Sequence, residues 1–243
     1  MIDRVYSATL ILHEDLLFAT REMGRVVETG QYIHNYALTY AFRYAKSPIR
    51  VTGKDASIQT PQEMVEKYKK DLAPIKDVYV TPAKPLKTYL LFVSYSAREE
   101  MIRTTREREA LTRKNIPEFG VWLTVAPRSS FECFILAKKP LEERELLPYI
   151  RLGKTATKTE VCYEECEFRE VKIKKPPLSV YFPLNPMDLP IEALDYELES
   201  MRPWPLYVRS SFDAERAIRI DRKGGEPVFL PLGLRYYAGK SHA

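Results

Sequence analysis

The stretch Val5-Tyr-Ser-Ala-Thr-Leu-Ile-Leu12, followed after a break by Tyr32-Ile-His-Asn-Tyr-Ala-Leu-Thr-Tyr-Ala-Phe-Arg-Tyr44, sets the first two elements of the chain. In the first, Tyr6, Ala8, Leu10 and Leu12 alternate with Val5, Ser7, Thr9 and Ile11, the period-two pattern of a strand. Both sets are largely apolar, so this strand is expected at the centre of a sheet. In the second, Ile33, Tyr36, Ala37, Tyr40, Ala41 and Tyr44 recur at steps of three and four and form one helical face. The residues between them, 18–30, are irregular and basic, with Gly24 and Gly30 as breakers.

Further along, Thr60-Pro61-Gln62-Glu63 announces a second helix running to about residue 71. Thr caps it, Pro takes the first helical position and Glu closes a capping box. Residues 86–96, dense in aromatics and bounded by Pro85, read as a buried strand. Residues 119–126 and 130–137 read as a hairpin across Pro127-Arg128-Ser129. A short helix is expected at 141–147, then the loop Arg151-Leu-Gly-Lys-Thr-Ala-Thr-Lys158 leads into a strand at 159–163. A Pro-rich connection over 176–190 precedes a short helix at 191–201, and 217–220 pairs with 228–230 across Gly224-Gly225. The order strand, helix, strand, strand pair, helix, strand implies an α+β fold built on a ferredoxin-like (RRM-like) β-α-β-β-α-β unit with long insertions. That unit is expected over residues 1–175, with a β-rich C-terminal extension over 176–243 packed on it.

Composition narrows the function classes. The 243 residues are 45% hydrophobic and 29% charged, a globular balance that excludes a disordered tail. No apolar run approaches the roughly 18 residues of a membrane span, and His13, Glu14 and Asp15 come too soon for a signal peptide, so a cytoplasmic protein is expected. Cys133, Cys162 and Cys166 are an odd number and write no disulfide framework. The only histidines are His13, His34 and His242, none near the C-x3-C pair, so no metal is expected, and no other cofactor.

The net charge of +5 is unevenly spread: residues 18–54 and 201–243 each carry a local +4, and residues 160–200 a local −6. Basic ends suit a polyanion, while the acidic centre suits a basic protein partner; an evenly solvated surface is the plainer reading. The nucleotide-binding, hydrolase-elbow and zinc-helix motifs are absent. His34, with Arg43 on the same helix, is the one acid-base candidate, and a lone helical His more often packs or donates a hydrogen bond.

The nucleic-acid signal is broader. Arg21 and Arg25 precede the first helix; Arg103, Arg106, Arg108, Arg113 and Lys114 follow a strand; Arg151, Lys154 and Lys158 surround Gly153. These cations suit phosphate oxygens, and 16 Tyr with 10 Phe offer faces on which unstacked bases are held, although most must be core. Glu107 and Glu109 lie among the second group, so a salt-bridged helical face also explains it.

The run Leu12-His-Glu-Asp-Leu-Leu-Phe18-Ala-Thr-Arg-Glu-Met-Gly-Arg25, with Glu28-Thr and Tyr32-Ile-His-Asn-Tyr-Ala-Leu38, resembles the type I-D Cascade subunit that holds the 5′ end of CRISPR RNA. That family lies in the fifth Cas family of the RAMP superfamily. Pro117-Glu-Phe119-Gly120 with Ala126-Pro-Arg128-Ser-Ser130, and Tyr149-Ile-Arg151-Leu-Gly153-Lys154, fit in the same order, so the resemblance covers residues 12–158. It implies a RAMP core of ferredoxin-like type and a non-catalytic subunit that grips the CRISPR RNA 5′ handle. Such a subunit caps the filament of Cascade backbone subunits and adjoins the large subunit near the protospacer-adjacent motif of target DNA. The RNA-facing residues it implies are Arg21, Arg25, His34, Asn35, Arg128, Arg151 and Lys154; the basic loops add Arg106, Arg108 and Lys158. The loop departs from the superfamily's glycine-rich habit in holding Gly153 alone.

Two other roles remain open in the sequence. One is a metal-independent RAMP endoribonuclease using His34. The other is a protein-only cap whose acidic segments, 160–170 and 188–199, dock a basic partner.

Overall fold

The computed structural model describes residues 2–23, 26–45, 61–97, 118–174 and 176–238. The elements run β1 (Arg4–Leu12), β2 (Arg21–Met23), β3 (Val26–Glu28), α1 (Asn35–Ala41), α2 (Pro61–Leu72), β4 (Val78–Val80), β5 (Lys84–Lys87) and β6 (Leu90–Ala97). There follow β7 (Glu118–Val125), β8 (Ser130–Ala137), β9 (Tyr149–Leu152), β10 (Thr157–Glu165), β11 (Glu167–Lys172) and β12 (Leu178–Val180). The last are β13 (Asp195–Glu199), β14 (Leu206–Phe212), β15 (Arg216–Asp221) and β16 (Val228–Pro231). Sheet dominates: among the described residues helix is confined to α1, α2 and short 3-10 turns.

The main sheet has the order β4-β8-β1-β10-β9, with β5 also on β8. As its two apolar faces require, β1 is central, antiparallel to both β8 and β10. Alternation along β8 divides the core in two. Phe131, Cys133 and Ile135 pack with Leu10, Leu12, Leu38 and Phe42 on one face. Phe134 and Leu136 pack on the other with Val5 and with Val180, Phe212, Ile218 and Leu230 from the C-terminal strands. Those strands form two small sheets, β11-β15-β16 and β12-β14-β13. A fourth sheet, β2-β3-β7-β6, stands apart.

Helix α1 is shorter than its apolar face predicts. His34 is extended (ψ 136°) and caps the first turn, while Arg43 takes a positive φ of 65° just past the C-cap. Helix α2 and the β15–β16 pair agree with the sequence.

Four expectations are corrected. The strands at 119–126 and 130–137 exist but do not pair: β7 joins β6 and β3, β8 joins β1, β4 and β5. Arg128, at φ 66°, turns the chain between the two sheets. The strand at 86–96 is not buried, since Phe92 is 73% exposed and Leu90 and Leu91 nearly half. The helix expected at 141–147, bracketed by Pro140 and Pro148, is one 3-10 turn, Glu143–Glu145, so the second helix of the expected β-α-β-β-α-β order is missing. The helix expected at 191–201 is instead β13, drawn into register with β14.

Candidate nucleic-acid interface

The segment at residues 12–20 gathers the basic loops. Its backbone bonds on one side to the Arg128 turn, where the Arg128 N–H donates to Leu12 O at 2.8 Å, and Leu16 bridges Val125. On the other side the His13 N–H donates to Lys158 O (3.0 Å) and the Lys154 N–H to Leu17 O (2.8 Å). The Thr157 hydroxyl donates to Asp15 O at 2.6 Å. Arg21 follows at once in β2. One strap therefore places Arg21, Arg128, Arg151, Lys154 and Lys158 around itself.

Gly153 makes this docking possible. It sits at φ +72°, and a Cβ there would stand 2.7 Å from Leu17 O and 2.9 Å from Leu16 Cδ1. Only glycine tolerates both the conformation and the approach. In β9, burial alternates so that Tyr149 and Arg151 face solvent while Ile150 and Leu152 join the core. Arg151 lies opposite Lys158, whose Nζ stands 4.5 Å from the Tyr149 ring centroid. The His13 ring meets the same tyrosine edge-on at 6.0 Å. Tyr149 is half exposed and flanked by the Lys158 ammonium and the His13 ring; sequence reasoning did not single it out, although its period-two spacing from Arg151 was the available signal.

The cations are held lightly. Arg21 donates to Glu199 at 3.0 Å and lies 3.8 Å from Glu28; Arg151 lies 3.4 Å from Glu14; Lys154 and Arg202 lie 4.0 and 3.9 Å from one oxygen of Glu22. The exposed pairs of Arg151, Lys154 and Arg202 contribute between zero and about 1 kcal/mol, so phosphate can displace their carboxylates at little cost, whereas Glu28 and Glu199 beside Arg21 are half-buried. Arg128 is exposed and makes no side-chain ion pair among the described residues. Arg25, Arg106 and Arg108 fall outside the described residues.

Asn35 does not face solvent. It is fully buried, its amide NH2 donating to Asp188 Oδ2 (2.7 Å) and its carbonyl accepting from Asn185 (3.1 Å). Asp188 is buried as well, which removes it from the acidic surface expected at 188–199. It also accepts from the hydroxyls of Tyr36 (3.1 Å) and Tyr79 (3.2 Å) and from the Tyr237 N–H (2.9 Å). Burial still pushes its carboxyl up to about 7. The sequence carries no sign of this node, because its partners lie about 50 to 150 residues away.

His34 is 5% exposed. Its Nδ1 accepts the Tyr36 N–H at 3.1 Å, and burial pushes its pKa down to about 3, so the ring is neutral with its proton on Nε2. That Nε2–H is buried without a partner. The ring forms part of the wall of a cavity of about 270 Å³. Tyr32, Tyr36, Tyr40 and Tyr68 line it too, with the exposed side chains of Lys154 and Arg202 beside them.

Among the described residues no group of three or more His, Cys, Asp or Glu could hold a metal, and no helix is long and apolar enough to cross a membrane. A β-rich body with a strap of loosely paired cations is a scaffold suited to polyanions, and comparison by family places the chain among the CRISPR-associated proteins. Residues 3–239 match the family described as Type I-D CRISPR-associated protein Cas5/Csc1, and the chain belongs to it. The match extends through the C-terminal strands, well beyond residues 12–158. No curated protein matches the chain.

Solved structures to which the chain is similar include a chain of the type III-B Cmr-beta complex bound to cognate target RNA. It is 14% identical, with a TM-score of 0.41 over 67% of this chain and 60% of that one. A chain of the same complex with target RNA and AMPPnP is 10% identical, with a TM-score of 0.46 over 85% and 86%. A CRISPR protein from Archaeoglobus fulgidus is 14% identical, with a TM-score of 0.46 over 93% and 99%.

Proposed function

We propose that this protein is the non-catalytic subunit that binds the 5′ handle of CRISPR RNA in a cytoplasmic type I-D Cascade complex. In this reading it caps the backbone subunits and adjoins the large subunit near the protospacer-adjacent motif of the target. The observation that carries the reading is the strap at residues 12–20, which gathers Arg21, Arg128, Arg151, Lys154 and Lys158 beside the exposed ring of Tyr149. Phosphates displace Glu14, Glu22 and Glu199 from their cations, and a splayed base stacks on Tyr149. We read β4-β8-β1-β10 as the ferredoxin-like core, its second crossover reduced to a 3-10 turn.

Against cleavage by His34, the ring is buried and neutral, its Nδ1 is engaged by the Tyr36 N–H and its Nε2 already carries the proton, so it lacks the free lone pair a general base needs. The test is a labelled CRISPR repeat RNA titrated in EDTA across a salt series, scored on native and denaturing gels. Retention without cutting supports the reading. Arg151→Ala should weaken binding and shrink the slope of log K against log salt by about 0.7, the single-strand value per phosphate contact. Metal-free cutting at one site would replace this reading with the endoribonuclease. Equal slopes would remove Arg151 from the interface.

A further inference from the structure

The cavity beside His34 adjoins the strap of cations and shares Lys154 with it, but its tyrosine walls and His34 have no part in the reading above. It combines three observations: tyrosine walls, an unpaired buried donor, and two cations at its edge. The hydroxyls of Tyr36 and Tyr40 are already given to Asp188 and to Asp71 (2.7 Å), so rings rather than hydroxyls are what these residues offer. Since Nδ1 of His34 accepts from the backbone, Nε2 is a donor and calls for an acceptor. A buried donor without a partner costs about 1–3 kcal/mol, so occupation by an acceptor-bearing group is favoured. At about 270 Å³ the space exceeds many times the ~30 Å³ share of one water. Lys154 and Arg202 converge on one oxygen of Glu22 and present two cations to anything that displaces that carboxylate. A flat heteroaromatic ring with an acceptor edge, attached to a phosphate, meets all of these: it is a nucleotide.

We infer that this cavity receives one unstacked nucleobase of the bound RNA, with His34 Nε2–H donating to the base and Lys154 and Arg202 holding the adjoining phosphate. The inference rests on the RNA-binding reading and adds to it a second base-holding position, distinct from Tyr149. The same chemistry could be met by a free nucleotide, so the test separates the two sources.

The probes are a set of CRISPR repeat RNAs, each with 2-aminopurine at one position, and a separate equimolar mixture of the four nucleoside 5′-monophosphates. The main variant is Ala37→Phe, which adds a ring at the cavity wall on α1 and leaves His34 itself in place. His34→Ala is made alongside, with circular dichroism to confirm folding. The expected result is that one position alone changes its fluorescence on binding and that Ala37→Phe abolishes this response. Affinity for RNA should then fall between about five- and 150-fold, the range for losing one base–aromatic stack. Arg151→Ala should keep the fluorescence response while weakening binding. If RNA binds but Ala37→Phe retains wild-type affinity and response, the cavity inference is overturned and the RNA-binding reading survives. If the mononucleotides bind to wild type, are lost with Ala37→Phe and compete no RNA, the cavity serves a free nucleotide and the inference is overturned. If no RNA binds at all, both readings fall together.

Discussion

Replacing Asp188 with Ala should destabilise the protein by about 4 kcal/mol at pH 8. The carboxylate accepts from four donors: the Asn35 amide, the Tyr36 and Tyr79 hydroxyls and the Tyr237 N–H, at 2.7 to 3.2 Å. Truncation strands these donors in the interior at roughly 2 kcal/mol each, about 8 kcal/mol in total. Against this stands relief of the burial of an anion. The rise of the carboxyl from its ordinary 3.8 to about 7 is what remains after these four bonds have lowered it, so burial of the anion offsets a large part of that sum and a loss near half of it, about 4 kcal/mol, is expected. Guanidinium unfolding followed by circular dichroism would read it as a lower midpoint at unchanged slope. Asp188→Asn, which keeps one acceptor oxygen, should fall between the two. A loss below about 1 kcal/mol for the alanine variant would refute the argument, because it would mean that the four donors find other partners. The same variant tests the site, since Asn35 and Tyr36 open the helix whose cap is His34.

Asp188 also sets a pH dependence: its folded pKa is raised, so between about 4 and 7 the native state binds more protons than the unfolded chain, and stability must fall as pH rises through that window. Unfolding midpoints measured at pH 5 and pH 8 should show this decline in wild type and a flatter profile in Asp188→Asn. Gly153→Ala should cost about 1–2 kcal/mol from the left-handed backbone alone, and more from the 2.7 Å approach to Leu17 O; thermal melting would show it, and RNA affinity should drop with the displacement of Lys154. Phe92→Ser should change stability by less than about 0.5 kcal/mol in a denaturant melt, because the ring is 73% exposed; a larger loss would mean that it is buried.

The parts of the fold legible in the sequence are those set by neighbours along the chain. The alternation over residues 5–12 located β1 and its central position, since both of its faces had to be covered. Pairing was less legible than existence. The residues of β7 and β8 read as strands, yet nothing local revealed that the turn at Arg128 bonds to Leu12 and sends β8 to a different sheet. At β13, Ile191, Leu194 and Leu198 imitate a helical spacing, while Tyr196 and Leu198 also satisfy period two; the free edge of β14 decided between them. In the site, Arg21, Arg128, Arg151, Lys154 and Lys158 were readable as surface cations, although Arg21, Arg151 and Lys158 stand on strands rather than in loops. Asn35 was not readable as an internal residue, because its partners Asn185 and Asp188 are 150 or more residues distant. Arg202 likewise reaches the His34 cavity from a distant segment.

Tyr236 and Tyr237 give this architecture a consequence for biosynthesis. The Tyr236 hydroxyl bonds to Thr39 of α1 and to the Val80 N–H, and the Tyr237 ring stacks on Tyr36. A ribosome therefore has to translate well over two hundred codons before the first helix can acquire its final neighbours. Until then one face of the main sheet, with Val5, Phe134 and Leu136, lacks its cover from β12, β14, β15 and β16. The nascent polypeptide is thus most vulnerable to aggregation while it is still tethered. Stop codons placed even a few positions upstream of Tyr236 should send the product to inclusion bodies rather than to a smaller soluble protein.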